Sequence, residues 1–131
     1  MPHRIEWEEN GAFVFFYGRV GPEELVKVNG RFHADRQFDV AQYLIRDLCY
    51  SDPWEVGGED IAERMACIDR EACGFNKGLR VAHVATDRRI RRVLQRYIDT
   101  SGRIGNAWQM RLFDTPEEAR RWAMNQAPVG A

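Results

Sequence analysis

The stretch "VAQYLIRDLCYSDPWEVGGEDIAERM", residues 40–65, sets out the fold of this chain. Its first part contains "YLIRDL", a short apolar run of the kind that forms a buried strand. Its last part, "GEDIAERM", has apolar residues at helical spacing and predicts an amphipathic helix. In α/β proteins, ligands bind at the carboxyl ends of the strands, so this corner is the first candidate for a functional site.

Further strands and helices are predicted on both sides of that stretch. "HRIEWEE" alternates polar and apolar residues, and "AFVFFYG" is almost wholly apolar, which predicts two antiparallel strands. Between them, Asn10-Gly11 suits a tight hairpin through its tolerance of a positive φ. Further strands are predicted in "FDVAQYLIRDLCY", "KGLRVAHVATD" and "NAWQMRLFDT". Helices are predicted in "GPEELVKVNGRFHAD", where Gly30 suggests irregularity, and in "GEDIAERMACIDREACG". Two more are predicted in "RRIRRVLQRYIDTSG", with Asp87 as its N-cap, and in "PEEARRWAMNQ", with Thr115 as its N-cap. The order β-β-α-β-α-β-α-β-α predicts one α/β domain over residues 1–131, with a five-stranded, mostly parallel sheet and four helices.

Bulk properties describe an ordinary soluble domain. The 131 residues carry a net charge of −1, which exerts no long-range attraction on nucleic acid or anionic membranes. No apolar run reaches the roughly 18 residues that a membrane-spanning helix needs. The first residues lack the pattern of a signal peptide. Cys67 and Cys73 would lie about 9 Å apart on one helix, which is too far for a disulfide. We therefore expect reduced thiols and a cytoplasmic protein. No cofactor is expected.

Three signatures in sequence order resemble a known family. They are "YLIRDL", a strand that carries an aspartate before a helix; "LRVAHVATD", a strand leading into a helix; and "LFDTPEEARRW", a strand followed by a short helix. Together with the opening hairpin they resemble the SpoIIAA-like branch of the STAS superfamily, which is related to bacterial anti-sigma-factor antagonists. The resemblance covers almost the whole chain. It implies a small, non-enzymatic, self-associating domain that docks a partner protein, and some relatives resemble lipid-binding domains with an apolar cavity.

The resemblance also directs attention to the corner after the third strand. In the antagonists, an Asp-Ser pair lies there and the serine at the helix N-terminus is phosphorylated. Asp47 matches the strand side, but the helix begins with two glycines followed by Glu59 and Asp60, and the nearest hydroxyl is that of Ser51. The two carboxylates already complement the helix dipole and would repel a phosphate. We therefore predict that the phospho-switch is absent and that Ser51 is a turn residue.

Trp54 is the other distinctive residue of this corner. It lies in "DPWEV", outside any periodic element, where it would line a pocket or a dimer contact, or fold back as a lid. Both interpretations stay open. The candidate binding residues of the corner are Asp47, Ser51, Asp52, Trp54, Glu59 and Asp60.

Two further residues carry possible chemistry. His83, in the middle of "VAHVA", is a candidate general base, although a buried and hydrogen-bonded structural histidine is favoured. Cys49 is a candidate nucleophile, although a buried thiol is favoured. The three histidines have no spacing typical of a metal site, so no zinc is expected.

One cluster of basic residues is apparent. Arg88, Arg92 and Arg96 form a row at helical spacing, which could meet an acidic protein or a lipid headgroup. A solvated helix surface is favoured over both. Nucleic acid ranks last, because no aromatic residues lie between the arginines for base stacking.

Three functions follow, in order of preference. The first is a non-catalytic protein-interaction or regulatory module, homodimeric and with an unknown protein partner. The second is a carrier for a small apolar or lipid-like ligand bound between the sheet and the helices, which predicts a cavity lined by Phe, Trp and Met. The third is an enzyme that uses Cys49 or His83.

Overall fold

The computed structural model of the chain describes residues 3–52 and 59–124. The predicted α/β fold is confirmed: a five-stranded mixed sheet carries four α-helices. The strands are β1 (His3–Trp7), β2 (Gly11–Gly18), β3 (Tyr43–Ser51), β4 (Arg80–Val84) and β5 (Gln109–Phe113). The helices are α1 (Pro22–Ala34), α2 (Glu59–Ala72), α3 (Arg88–Arg103) and α4 (Pro116–Met124), with a short 3-10 helix over Arg36–Val40.

The strands lie in the sheet in the order in which they occur in the sequence. β1 is antiparallel to β2, and β2 to β5 are parallel to one another. Helices α1, α2 and α3 pack on one face of the sheet, and α4 packs on the other. The first three share a face because each belongs to a right-handed crossover, and each crossover adds the next strand at the same edge of the sheet. The described sheet has no reversal of strand order, so it lacks the crevice in which open α/β sheets usually bind ligands.

Strand alternation divides the central residues between these two faces. In β3, Leu44, Arg46 and Leu48 face the three helices, whereas Ile45 and Asp47 face α4. In β4, His83 faces the three helices, while its neighbours Ala82 and Val84 face α4. This alternation decides which polar side chains lie on the same face of the sheet and can contact one another.

Local sequence accounts for most helix boundaries. Asp87 caps α3, since its carboxylate accepts hydrogen bonds from the backbone N–H groups of Arg89 (2.9 Å) and Ile90 (3.2 Å). Thr115 caps α4 through the N–H of Glu118 at 3.2 Å. Both caps were visible in the sequence. Among the described residues, no helix is long and apolar enough to span a bilayer.

Three local predictions were wrong. β3 begins at Tyr43 rather than near residue 38, because Asp35 caps a 3-10 turn through the N–H of Gln37 (2.9 Å). α1 is a regular helix, because the solvent-exposed Gly30 leaves its backbone intact. Gly11 does not adopt a positive φ; it is required because a Cβ there would lie 2.5 Å from the carbonyl oxygen of Tyr43.

Candidate functional site

Of the residues predicted at the corner after β3, Asp47 faces away from helices α1 to α3. Asp47 is buried on the α4 side, where its Oδ1 accepts a hydrogen bond from the backbone N–H of Cys49 at 3.0 Å. Ser51 ends β3, and its Oγ is buried with no hydrogen-bond partner among the described residues. Asp52 is exposed. The binding role of these residues stays a prediction.

The remaining corner residues extend into or beyond the helix that follows. Glu59 and Asp60 form the first turn of α2. Trp54 lies outside the described residues. The functional and the lid interpretations of Trp54 therefore both stay open.

The two candidate catalytic residues lie on opposite faces of the sheet. Cys49 packs with the apolar cluster beneath α4, whereas His83 faces α1 to α3. They cannot act as a nucleophile and base pair. Burial, together with the nearby Asp47, raises the pKa of the Cys49 thiol to about 12, so the thiolate needed for catalysis is strongly disfavoured.

This environment makes a prediction about thiol reactivity. With iodoacetamide at pH 8, Cys49 is expected to react more than about a hundredfold more slowly than the exposed Cys67. Mass spectrometry of tryptic peptides over time would measure both rates in one sample. A Cys67→Ser variant tests whether the slow reaction belongs to Cys49, and equal rates for the two thiols would contradict the prediction.

The predicted basic row lies on the outer side of α3. Arg88, Arg92 and Arg96 are exposed and line a groove of about 720 Å³. Arg91, in the same groove, is engaged by the carbonyl oxygen of Ala85 (2.6 Å) and by the carboxylate of Asp114 (2.8 Å). The row's role in binding an acidic partner stays a prediction. Within residues 3–52 and 59–124, no three His, Cys, Asp or Glu side chains are grouped so as to hold a metal ion.

A cavity lies between the sheet and helices α1 to α3. Its volume is about 40 Å³, and most of its lining is aliphatic or aromatic. Since roughly 10–15 Å³ of such space accommodates one water molecule, the cavity has room for only a few heavy atoms. The apolar lining includes Val14, Phe16, Phe32, Ala62, Met65 and Leu94. The polar residues in the lining are Asn29, Arg46, His83 and Tyr97.

Three of these polar residues belong to a buried network centred on Asp69. Asn29 donates a hydrogen bond from Nδ2 to Asp69 Oδ1 (2.6 Å), and Tyr97 donates from its hydroxyl to Asp69 Oδ2. Arg46 donates from Nη2 to Asn29 Oδ1 (2.6 Å) and lies 3.6 Å from Asp69 Oδ2. His33 Nε2 lies 3.3 Å from Asp69 Oδ1. The network thus joins α1, α2 and α3 to β3.

The network fixes the charges of its members. Burial alone would raise the pKa of Asp69, but the contacts with His33, Arg46, Tyr97 and Asn29 outweigh it and lower that pKa. Burial and the adjacent Asp69 raise the pKa of Tyr97, which keeps its hydroxyl protonated. The network therefore contains a fully buried anionic carboxylate and a buried cationic guanidinium.

His83 is the exception among these polar residues. It is 0% exposed, and neither of its ring nitrogens has a hydrogen-bond partner among the described residues. Its ring contacts the ring of Tyr97 edge to face, with centroids 5.2 Å apart. Burial, followed by the positive charge of Arg46, lowers the pKa of His83 well below 6.5, so the ring is neutral. The sequence-based prediction of a buried histidine is confirmed, but the described residues supply no hydrogen bond to its ring.

Sequence reasoning missed most of this network. The sequence did contain one signal of it: a charged residue at a position where the periodicity of the strand or helix predicts a buried side chain. Arg46 lies between the buried Leu44 and Leu48 on the same face of β3, and Asp69 follows Met65 by four residues on the buried face of α2. Such charges are rarely buried unless they are paired. The pattern could have predicted buried charges, but not their partners, which come from separate elements.

Comparison with known proteins supports the fold. No protein-family model matches the sequence, and no curated protein does. The structure is similar to the crystal structure of an uncharacterized protein from the DUF3478 family with a SpoIIAA-like fold, from Shewanella loihica PV-4. The two chains are 13% identical, and the similarity covers 92% of this chain and 91% of the other, with a TM-score of 0.53. The fold of this chain is therefore SpoIIAA-like.

Proposed function

We propose that this protein is a non-catalytic binding domain for a small, mainly apolar molecule, which it holds between the sheet and helices α1 to α3. The observation that carries the proposal is an apolar cavity whose lining includes His83, a buried ring with no hydrogen-bond partner in the part of the chain that the structure describes. Protein interiors are close-packed, and a buried polar group without a partner costs about 1–3 kcal/mol. A ligand that fills the cavity and bonds to the ring would remove both costs.

The size of the cavity limits what fits without a structural change. At about 40 Å³ it is smaller than the cavity of about 150 Å³ that binds benzene in another protein. Larger ligands require α1 and α2 to separate. At the surface these helices are joined by an exposed ion pair, Glu23 with Arg64 at 3.2 Å, and such pairs contribute only about 0–1 kcal/mol. This ion pair therefore resists separation only weakly, whereas the buried hydrogen bond from Asn29 to Asp69 (2.6 Å) holds the same two helices together deeper in the protein.

A substitution that fills the cavity tests the proposal. Ala62 is buried in the cavity lining, and Ala62→Val adds two methyl groups there. Xenon, a probe of apolar cavities, is expected to shift the amide NMR signals of lining residues in the wild type and to leave those of Ala62→Val nearly unchanged. Native mass spectrometry of protein purified from its own host should also detect a small molecule on the wild type that the variant lacks.

The control is the same substitution on the other face of the sheet. Ala119→Val in α4 is also fully buried but does not line the cavity, so it should preserve both xenon binding and the retained molecule. If the wild type binds no xenon and retains no molecule, the proposal is wrong. If both alanine variants behave alike, the cavity is not the binding site.

A second candidate function is protein interaction, as a homodimer. It is favoured by an aromatic patch on the sheet face beside α4, formed by Phe15, Tyr17 and Tyr50. The Phe15 ring lies 5.9 Å from that of Tyr17 and 5.4 Å from that of Tyr50, and the two tyrosines are 43% and 66% exposed. Aromatic side chains are enriched at protein interfaces.

The dimer is tested by its mass in solution. Sedimentation velocity over a concentration series should show a wild-type dimer, and Tyr50→Glu should shift the equilibrium at least about tenfold toward monomer, because it would bury a charge in the interface. Val40→Glu changes an equally exposed apolar residue outside the patch and should leave the dimer intact. A wild type that is monomeric at every concentration would exclude this candidate.

A further inference from the structure

We infer that the molecule bound in the cavity carries one uncharged group that both donates and accepts a hydrogen bond, a hydroxyl above all, and that His83 is the residue that binds this group. The inference rests on the proposed function, because it specifies the chemistry of the ligand in the same cavity. It excludes fatty acids and other carboxylates, and it also excludes pure hydrocarbons as the preferred ligand.

The first step is the hydrogen-bonding capacity that the fold leaves unused. His83 is the fourth of the five residues of β4 and faces α1 to α3, in the lining of the cavity. Within residues 3–52 and 59–124, neither ring nitrogen has a hydrogen-bond partner, although the residue is fully buried. A neutral imidazole offers one N–H donor and one nitrogen acceptor. A hydroxyl group matches it, since a hydroxyl also both donates and accepts.

The second step is that the polar neighbours of His83 are already occupied. The Tyr97 hydroxyl, whose ring contacts His83, donates to Asp69. Asn29 uses its amide nitrogen for Asp69 and its amide oxygen for Arg46. Among the described residues of the lining, His83 is thus the one whose side-chain donor and acceptor both lack a partner.

The third step is the charge balance of the site. The buried guanidinium of Arg46 is matched by the buried carboxylate of Asp69, with 3.6 Å between Nη2 and Oδ2. His33 reaches the same carboxylate from the partly exposed side. A ligand carboxylate would add a negative charge without a counter-charge, or would compete with Asp69 for Arg46, and either outcome is unfavourable in an apolar interior. A ligand ammonium would leave a positive charge unbalanced. An uncharged group avoids both.

Three matched series of ligands test the inference: 1-alkanols, n-alkanes and n-alkanoates of three to eight carbons. Titrations followed by NMR, with the His83 ring nitrogens labelled with ¹⁵N, give an affinity for each probe. At a given length, the alkanol is expected to bind about tenfold more tightly than the alkane or the alkanoate. Only the alkanol should shift the ring-nitrogen signals strongly.

Two variants separate the role of the ring from that of the cavity. His83→Leu removes the hydrogen-bonding groups, so alkanols should lose their advantage over alkanes while alkanes still bind. His83→Gln keeps one amide donor and one carbonyl acceptor and should retain part of the preference. Circular dichroism would establish that both variants are folded, and the wild-type ranking decides the question if one of them is not.

The outcomes distinguish this inference from the proposed function. Alkanoates that bind as tightly as alkanols, or a preference for alkanols that survives in His83→Leu, would overturn the assignment of His83 while the cavity remains a binding site. Binding of no probe at any length would instead overturn the proposed function itself.

Discussion

Asp69→Ala is expected to lower the free energy of unfolding by about 3–5 kcal/mol, the usual cost of removing one partner from a buried ion pair. The carboxylate is fully buried and bonds to Asn29 and Tyr97, with Arg46 3.6 Å away. Its removal leaves the guanidinium of Arg46 buried without a counter-charge. It also leaves the Tyr97 hydroxyl and the Asn29 amide each without an acceptor, at about 1–3 kcal/mol per unsatisfied group. Urea unfolding at pH 7, followed by tryptophan fluorescence, measures the change.

Matched variants separate the lost charge pair from other effects. Glu63→Ala removes an exposed carboxylate from the same helix and should change the stability by less than about 0.5 kcal/mol. The double variant Arg46→Met/Asp69→Leu replaces both charges with apolar groups and should recover much of the loss, because a well-packed apolar pair is often no less stable than a buried ion pair. A loss below about 1 kcal/mol for Asp69→Ala would show that Asp69 is not what balances Arg46.

The sequence predicted the architecture because the architecture follows from local patterns. The alternation in "HRIEWEE", the apolar run in "AFVFFYG" and the caps at Asp87 and Thr115 are short-range signals, and each was found where expected. The start of β3 was predicted wrongly because "FDV" is apolar enough for a strand. Instead, these residues form a 3-10 helix that Asp35 caps. That cap depends on a hydrogen bond that composition does not reveal.

The candidate site was harder to predict because its residues come from different elements. Asn29, Arg46, Asp69 and Tyr97 belong to α1, β3, α2 and α3 and are separated by 17 to 40 positions along the sequence where they bond directly. Alternation in β3 could have shown that Asp47 and Arg46 face opposite sides of the sheet. The family resemblance drew attention to Asp47, whereas the buried network is built on its neighbour.

Acidification from pH 7 to pH 5 is expected to cost about 2 kcal/mol of stability through His83 alone. The folded-state pKa of His83 is held well below 6.5 by burial and by Arg46, with Asp69 opposing them in part. The unfolded chain, with an ordinary histidine pKa, therefore binds a proton first as the pH falls. Stability decreases below about pH 6.5, at up to about 1.4 kcal/mol per pH unit, until the folded-state pKa is reached.

The variant His83→Gln isolates this contribution, because glutamine is polar but does not titrate. The other two histidines, His3 beside Glu24 and His33 beside Asp69, are present in both proteins, so their contributions cancel in the difference. Urea unfolding at half-unit steps from pH 7.5 to pH 5 should give curves that diverge below pH 6.5, with the wild type losing about 2 kcal/mol more than the variant by pH 5. Parallel curves would mean that the ring of His83 takes up a proton in the folded protein as easily as in water. A ring that is protonated so readily would be accessible to water and would not stay neutral inside the cavity. Parallel curves would therefore also contradict the assignment of His83 as the residue that binds an uncharged ligand group.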